Sequence, residues 1–486
     1  MKAAAYIRSF ITAGLLIGVS SGFMTTAVFA ANQTPTVSTV STDTTSLPYI
    51  VQLRKRDMPK RLPTLQSFTS GQSHGLWVLI GGRTNGMHGF TSDPLQNFPP
   101  SRQNMSIWVI DPVTGRRWSR SLDDSSLTPD QVDGLSTFAA ESLQVGDTLY
   151  VVGGYGFSRS LNDFKTYSTM TAFDLRNTIK WVRHEALPPG KEDLAGLIRQ
   201  TEDSVLTITG GQMMMLGNRA LLAFGQLFNG GYGGSNVTQI YSGQVRSFQI
   251  EDDGTTLAIA NIRQRPATPN LDDYRRRDYN LVPILDIVGD QQVPKATALA
   301  GVFTVSDGMF TVPVEINRGG RPSMADPTLP ATFKQAMSGY NCAFLPIFNS
   351  ATGESHNVLF GGISFVFYRP ANGRFISDPQ FPFINDVTTV VRNADSSYSQ
   401  VLIGEFPKVR TVDKKLLHFG AEAAVFLDPS TPVTRNGMID LAALKAAHGT
   451  EAVRVGWLFG GIAADAPNNG NSVASNLVFE IFVTPR

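Results

Sequence analysis

Disulfides are excluded by a single count: the 486-residue chain has one cysteine, Cys342, and one thiol makes no intrachain bridge. That residue reads as a small buried hydrophobe rather than a nucleophile, and no cysteine lies near the N-terminus where a lipid anchor would attach. A field of one sign is missing too. Lysines and arginines total 41 against 40 acids, a balance that offers nothing to steer nucleic acid or an anionic membrane. The six histidines, at 74, 88, 184, 356, 418 and 448, show no paired metal spacing. No glycine-rich loop leads into a helix to cradle phosphate, so neither a metal nor a cofactor is expected. Beyond residue 30, no stretch is apolar enough to span a bilayer.

The front of the chain has the layout of a secretory signal. Lys2 and Arg8 supply the positive start, FITAGLLIGVSSGFMTTAV the apolar core, and Val28-Phe29-Ala30 offers small residues at the two positions inspected for cleavage after Ala30. A membrane anchor is the competing reading, which the interrupting serines, threonines and glycines weaken. Residues 31–46, ANQTPTVSTVSTDTTS, have almost nothing to bury and read as a disordered spacer. The mature chain is therefore expected to be exported, periplasmic or extracellular, and monomeric, with residues 47–486 forming one domain.

Within that domain a motif recurs. LWVLIGG (76–82), LYVVGG (149–154), VLFGG (358–362) and GWLFGG (456–461) each end a strand-like run on a glycine doublet, and LLAFGQ (221–226) and TALAGVF (297–303) are degenerate copies. A second apolar run precedes each copy. Downstream, SIWVIDPVTGRRW, TMTAFDLRNTIKW and QVRSFQIEDDGTTLAI read as a third strand, a polar turn and a fourth strand. The unit is thus four antiparallel strands, too thin to shield its own core, so several must stack around an axis. Glycine suits the crowded inner end because it has no Cβ and tolerates positive φ. Trp118 and Trp181 are expected to close the fourth strand of two copies and to fill the gap between neighbouring sheets.

These features resemble kelch repeats, closely in LIGG…IWVIDPVTGRRW (79–118) and VVGG…MTAFDLRNTIKW (151–181), weakly elsewhere. The resemblance implies an all-β, six-bladed kelch-type β-propeller, or seven blades if residues 416–427 begin a unit of their own. The last unit lacks an outer strand and LPYIVQLRKR (47–56) lacks a local partner, so the N-terminal strand is expected to pair with the C-terminal blade and close the ring. IDLAALKAAHG (439–449) has helical spacing with Gly449 as a stop, a short insert near 438–449.

In such a ring the long loops share one face, where binding is expected. The candidates there are Arg83, His88, Tyr155, Arg159 and Tyr232, together with Arg275, Arg276, Arg277 and Tyr279 of DDYRRRDYN (272–280). The arginines suit a carboxylate or sulfate by charge-assisted pairing. Equally, they suit a solvated loop whose charges pair among themselves. Copper-radical oxidation is not expected without a Tyr-His pair, nor sialidase activity without repeated Ser-x-Asp-x-Gly-x-Thr-Trp turns. The expected function is a non-catalytic binding protein for a glycan or protein ligand. The alternative is a sugar epimerase or mutarotase, similar to periplasmic kelch-type epimerases, in which Glu405 or Glu422 would serve an arginine-bound sugar.

Overall fold

A computed structural model of the protein describes residues 40–289, 291–305, 308–466 and 472–486. The signal segment and most of the spacer lie outside the described residues.

Strand alternation builds the molecule. In Leu76–Ile80, Trp77 and Leu79 pack against Phe426, Trp457 and Phe459, while Val78 and Ile80 pack the opposite way against Leu149 and Val151. The same period of two turns Ala220 and Leu222 toward Val152 and Met170, and Leu221 and Ala223 toward Leu281 and Ala296. Each large sheet is therefore apolar on both faces and shares a core with its neighbours in the ring. The six cores run in a circle, the last joining the first through Trp77 and Trp457. This is an all-β propeller.

Five of its sheets are four-stranded and antiparallel. The first is Thr69–Ser73, Leu76–Ile80, Ser106–Ile110 and Arg117–Ser121; the second Glu141–Val145, Thr148–Val152, Thr169–Asp174 and Ile198–Glu202. The third is Gln212–Leu216, Arg219–Ala223, Val245–Asp252 and Leu257–Arg265; the fourth Asn280–Val288, Gln291–Leu299, Val314–Ile316 and Pro322–Met324. In the last, Ala423–Leu427, Val453–Gly460 and Val478–Pro485 are completed by Tyr49–Arg56 from the front of the chain. That strand pairs along its whole length, from Tyr49 opposite Pro485 to Arg56 opposite Val478.

The count corrects the expectation: four-stranded blades number five rather than six or seven. Among the described residues four two-stranded ribbons lie outside the large sheets, and one further large sheet has six strands. Phe344–Asn349, Glu354–Ile363, Phe383–Arg392 and Tyr398–Glu405 form a meander, Ile439–Asp440 adds in parallel beside the first strand, and Val40–Ser41 adds in parallel beside the last. Val40–Ser41 falls inside the segment read as spacer, so the N-terminal arm contributes to two sheets.

Two further readings change. Trp181 does not close a fourth strand: residues Leu175–Val182 are a helix capped by Asp174, whose carboxylate accepts from the Asn177 amide at 3.1 Å. Leu175, Ile179, Trp181 and Val182 form its buried face between the first two sheets, and the fourth strand lies later, at Ile198–Glu202. Trp118 does sit on a fourth strand, under the Arg183 guanidinium. The helix Leu441–His448 is present and ends at Gly449, φ 61°. It is more than decoration, because Leu441 and Leu444 are buried in the core of the last two sheets. Among the described residues no helix is long and apolar enough to cross a membrane.

The glycine doublets make the hub. At the exit of each second strand an amide donates to a carbonyl ahead of the next first strand: Gly82 to Thr137, Gly154 to Ile208, Gly225 to Arg276, Gly301 to Gly339, Gly362 to Phe419 and Gly461 to Leu65. Gly154 shows why no other residue serves. Its φ is 87°, and a Cβ there would sit 2.4 Å from Thr137 Oγ1. Gly461 has φ 80° and would place a Cβ 2.4 Å from the Ala421 carbonyl oxygen.

Candidate functional site

One step inward from the glycines, a second circle of hydrogen bonds surrounds the axis. The amides of Ser67, Ala139, Gly210, Asp278, Asn341 and Glu422 donate in turn to the carbonyls of Glu422, Ser67, Ala139, Gly210, Asp278 and Asn341, at 2.8 to 3.4 Å. Each residue lies immediately ahead of a first strand. Ser67, Ala139, Asp278 and Glu422 have φ of 51°, 48°, 52° and 57°, a left-handed conformation costing roughly 1 kcal/mol or more outside glycine. That conformation lets each of these residues accept from one neighbour and donate to the other.

The circle closes over a cavity of about 430 Å³ on the axis. Its walls are the first strands, contributing Ser70, Ser142, Gln212, Pro283, Phe344 and Val425; its polar end is Ser67, Asp278, Asn341 and Glu422. Asp278 and Glu422 are the ionisable acids and bases of the lining, apart from the Cys342 thiol. Burial pushes Glu422 up to about 7, helped by the nearby Asp278 charge and opposed by hydrogen bonds from Ser67, Tyr340 and Asn341. Ser67 Oγ lies 3.0 Å and Asn341 Nδ2 3.2 Å from Glu422 Oε2. Burial also raises Asp278, against the Arg277 charge 3.6 Å away and a Tyr340 hydrogen bond. Tyr340 thus bridges two carboxyl groups that both hold protons more tightly than in water. Cys342 is buried, its thiol pushed up to about 12 by desolvation, and inert on that account.

Asp278, from the stretch 272–280, lines this cavity, but none of the loop residues expected to bind ligand does. Instead, the loop after Gly82 crosses the hub. The Met87 amide donates to Ser472 Oγ at 2.7 Å, and Asn97 Nδ2 reaches the Tyr232 carbonyl at 2.8 Å, tying the loop to opposite sides of the ring. His88 sits within this plug against Phe90, Phe98 and Tyr232, its Nδ1 2.8 Å from the Gly89 carbonyl oxygen. Burial lowers it to about 4, so the ring is neutral at physiological pH.

The remaining residues expected to bind ligand divide sharply. Arg276 is fully buried and donates to the carbonyls of Asp273, Ala300 and Val312 over the Phe310 ring. Tyr279 is buried and donates to the Ala223 carbonyl at 2.7 Å, and Tyr155 to the Gly230 carbonyl at 2.8 Å. Arg159 clamps the helix Pro129–Leu135 through Asp133, 2.6 Å away. Arg275 lies over Tyr241 and donates to the Thr304 carbonyl. All five have their polar groups engaged by the fold. Arg83 and Arg277 differ: each is held over phenylalanine rings, yet Arg83 Nη1 and Arg277 Nε are buried without a hydrogen bond. Glu405 is exposed at a strand end beside Lys408, far from the role considered for it.

The cavity residues Asn341 and Ser67 escaped sequence reasoning, which followed loop length, and Asp278 lay inside the stretch 272–280 without being chosen as a binding residue. The repeat itself carried the signal, since all six circle residues occupy the same place ahead of their first strands.

Fold and site together define a β-propeller with a polar axial cavity. No family model and no curated protein sequence matches the chain. Among solved structures the chain is similar to the one titled "Structure of YjhT", with 10% identity, 87% of this chain and 96% of that chain covered, and a TM-score of 0.45.

Proposed function

We propose that the protein is an exported, non-catalytic binding module that takes a hydroxyl-rich small ligand, a saccharide unit, into the axial cavity. The observation that carries this reading is the lining: serine hydroxyls, the amides of Gln212 and Asn341, and two carboxyl groups converge on one space of about 430 Å³. Because no arginine or lysine lines it, the cavity favours neutral sugars over acidic ones, the reverse of what the arginine-rich loops suggested. The test is thermal unfolding with neutral hexoses and with glucuronate. Binding to the native state raises the melting temperature; the neutral sugars should do so, and Glu422→Gln with Asp278→Asn should abolish the effect. Stabilisation by glucuronate alone, or by no sugar, would reject the reading.

Epimerisation is the second reading, favoured by the carboxyl pair. A Glu422 poised near 7 beside Asp278 and Tyr340 meets the requirement for a group that both gives and takes a proton. Proton NMR of anomer exchange would reveal it as acceleration by the wild type that Glu422→Gln removes.

The fold assignment within this reading is kelch-type, supported by the recurring doublets and their shared hydrogen bond.

A further inference from the structure

A second cavity, of about 340 Å³, lies on the flank of the second sheet and shares no lining residue with the axial one. Its walls are the helix Pro129–Leu135, the outer strands Thr169–Asp174 and Ile198–Glu202, and the chain around Lys165 and Tyr167. Val132 and Leu135 of the helix are buried in the core shared with Val151, Phe173 and Ile198, while beside the cavity a polar contact links helix to strand: Gln131 Nε2 donates to Gln200 Oε1 at 2.7 Å. Gly134 keeps the helix clear of an aromatic ring, since a Cβ there would come 3.2 Å from Tyr167 Cδ1. A glycine inside a helix costs about 1 kcal/mol against alanine, so this clearance is not free.

The lining carries many donors and acceptors, partly paired among themselves: Gln131 donates to Gln200, Gln200 to Thr171 and Thr169 to Glu202, while Asp130 accepts from Ser160. Thr169, Thr171 and Thr201 bring hydroxyls, Gln131 and Gln200 amides, Asp130 and Glu202 carboxylates, and Lys165 an ammonium 4.5 Å from the Tyr167 ring centroid. Tyr167 is 5% exposed, and its hydroxyl, near Ser158, makes no hydrogen bond of ordinary length. Two carboxylates against one ammonium repel a phosphorylated or carboxylated ligand, and Leu135 and Val151 give the apolar face of a ring something to lie on. A molecule dense in hydroxyls, each both donor and acceptor, matches it.

We infer that this flank cavity is a binding site for one neutral sugar ring, separate from the axial cavity and going beyond the function proposed above. The probes are methyl glucoside, methyl galactoside and N-acetylglucosamine, titrated at tens of millimolar into the isotope-labelled full chain. At least one should shift the amide resonances of Thr169, Thr171 and Thr201. Lys165 is half-buried and Glu202 exposed, so Lys165→Ala with Glu202→Gln should leave the fold intact while weakening that response about tenfold or more. Resonance shifts confined to the axial cavity, no shifts with any probe, or an undiminished response in the double variant would each overturn the inference.

Discussion

The Ser67 amide donates to the Glu422 carbonyl at 3.4 Å, joining the first repeat to the last. That bond completes the axial circle, and it depends on an N-terminal strand holding the last sheet in place. Tyr49 begins this strand. Its ring is buried edge-on to His356, and its hydroxyl lies 3.0 Å from Thr389 Oγ1 on the neighbouring sheet. Tyr49→Ala should cost about 3–5 kcal/mol in denaturant unfolding, and Tyr49→Phe about 1. Equal, small losses from both would mean that the strand adds little to closure.

Gly154→Ala tests the hub glycines. Position 154 combines φ 87° with a blocked Cβ, whereas Gly146 has φ 57° and nothing within 4 Å. Alanine at 154 should therefore cost more than about 2 kcal/mol, and at 146 about 1. Urea midpoints of the two variants separate steric crowding from backbone preference.

Arg276 should behave as a structural residue. Removing its side chain leaves two buried carbonyls and a part-buried one without that donor, a loss of about 3 kcal/mol or more. Arg275→Ala, half-buried with one such bond, should change stability by under about 1 kcal/mol. Guanidinium melts of the single variants decide it; a stable Arg276→Ala would return that residue to the list of free binding groups.

Stability should fall as pH rises from about 5 to 8. Burial raises Glu141 to about 8 and Glu422 and Asp386 to about 7. A carboxyl whose folded value is raised contributes fully below its unfolded value, and the contribution disappears as pH climbs through the folded one. Carboxylates held low by partners, such as Glu315 beside Arg392, are already ionised across this window and do not offset the fall. Glu141→Gln keeps an acceptor for the Gly211 amide and should flatten the slope by an amount on the order of 3 kcal/mol. Chemical denaturation at pH 5.5 and 8.5 checks this, and an unchanged slope in the variant would rule Glu141 out as the source.

The axial circle was legible in part. Glycine doublets announce themselves because only one residue type fits, and strands announce themselves by alternation. The helix Leu175–Val182 did not, because DLRNTIKW imitates a strand pair while the Asp174 cap and the apolar groove between two sheets select the helix. Nor did the binding residues. Loop length pointed to Arg275, Arg276 and Tyr279, yet whether an arginine meets ligand or carbonyl depends on what surrounds it, which no local pattern records.

The order of residues by itself determined a ring of thin sheets, with glycine at the hub and an N-terminal strand for the last edge, since backbone sterics and side-chain period act over a few positions. Tertiary structure alone decided that Asp278 and Glu422 share a cavity while the loops plug the other side. Those carboxyl groups stand far apart in the chain, and both hold their protons through burial, Glu422 also through the Asp278 charge.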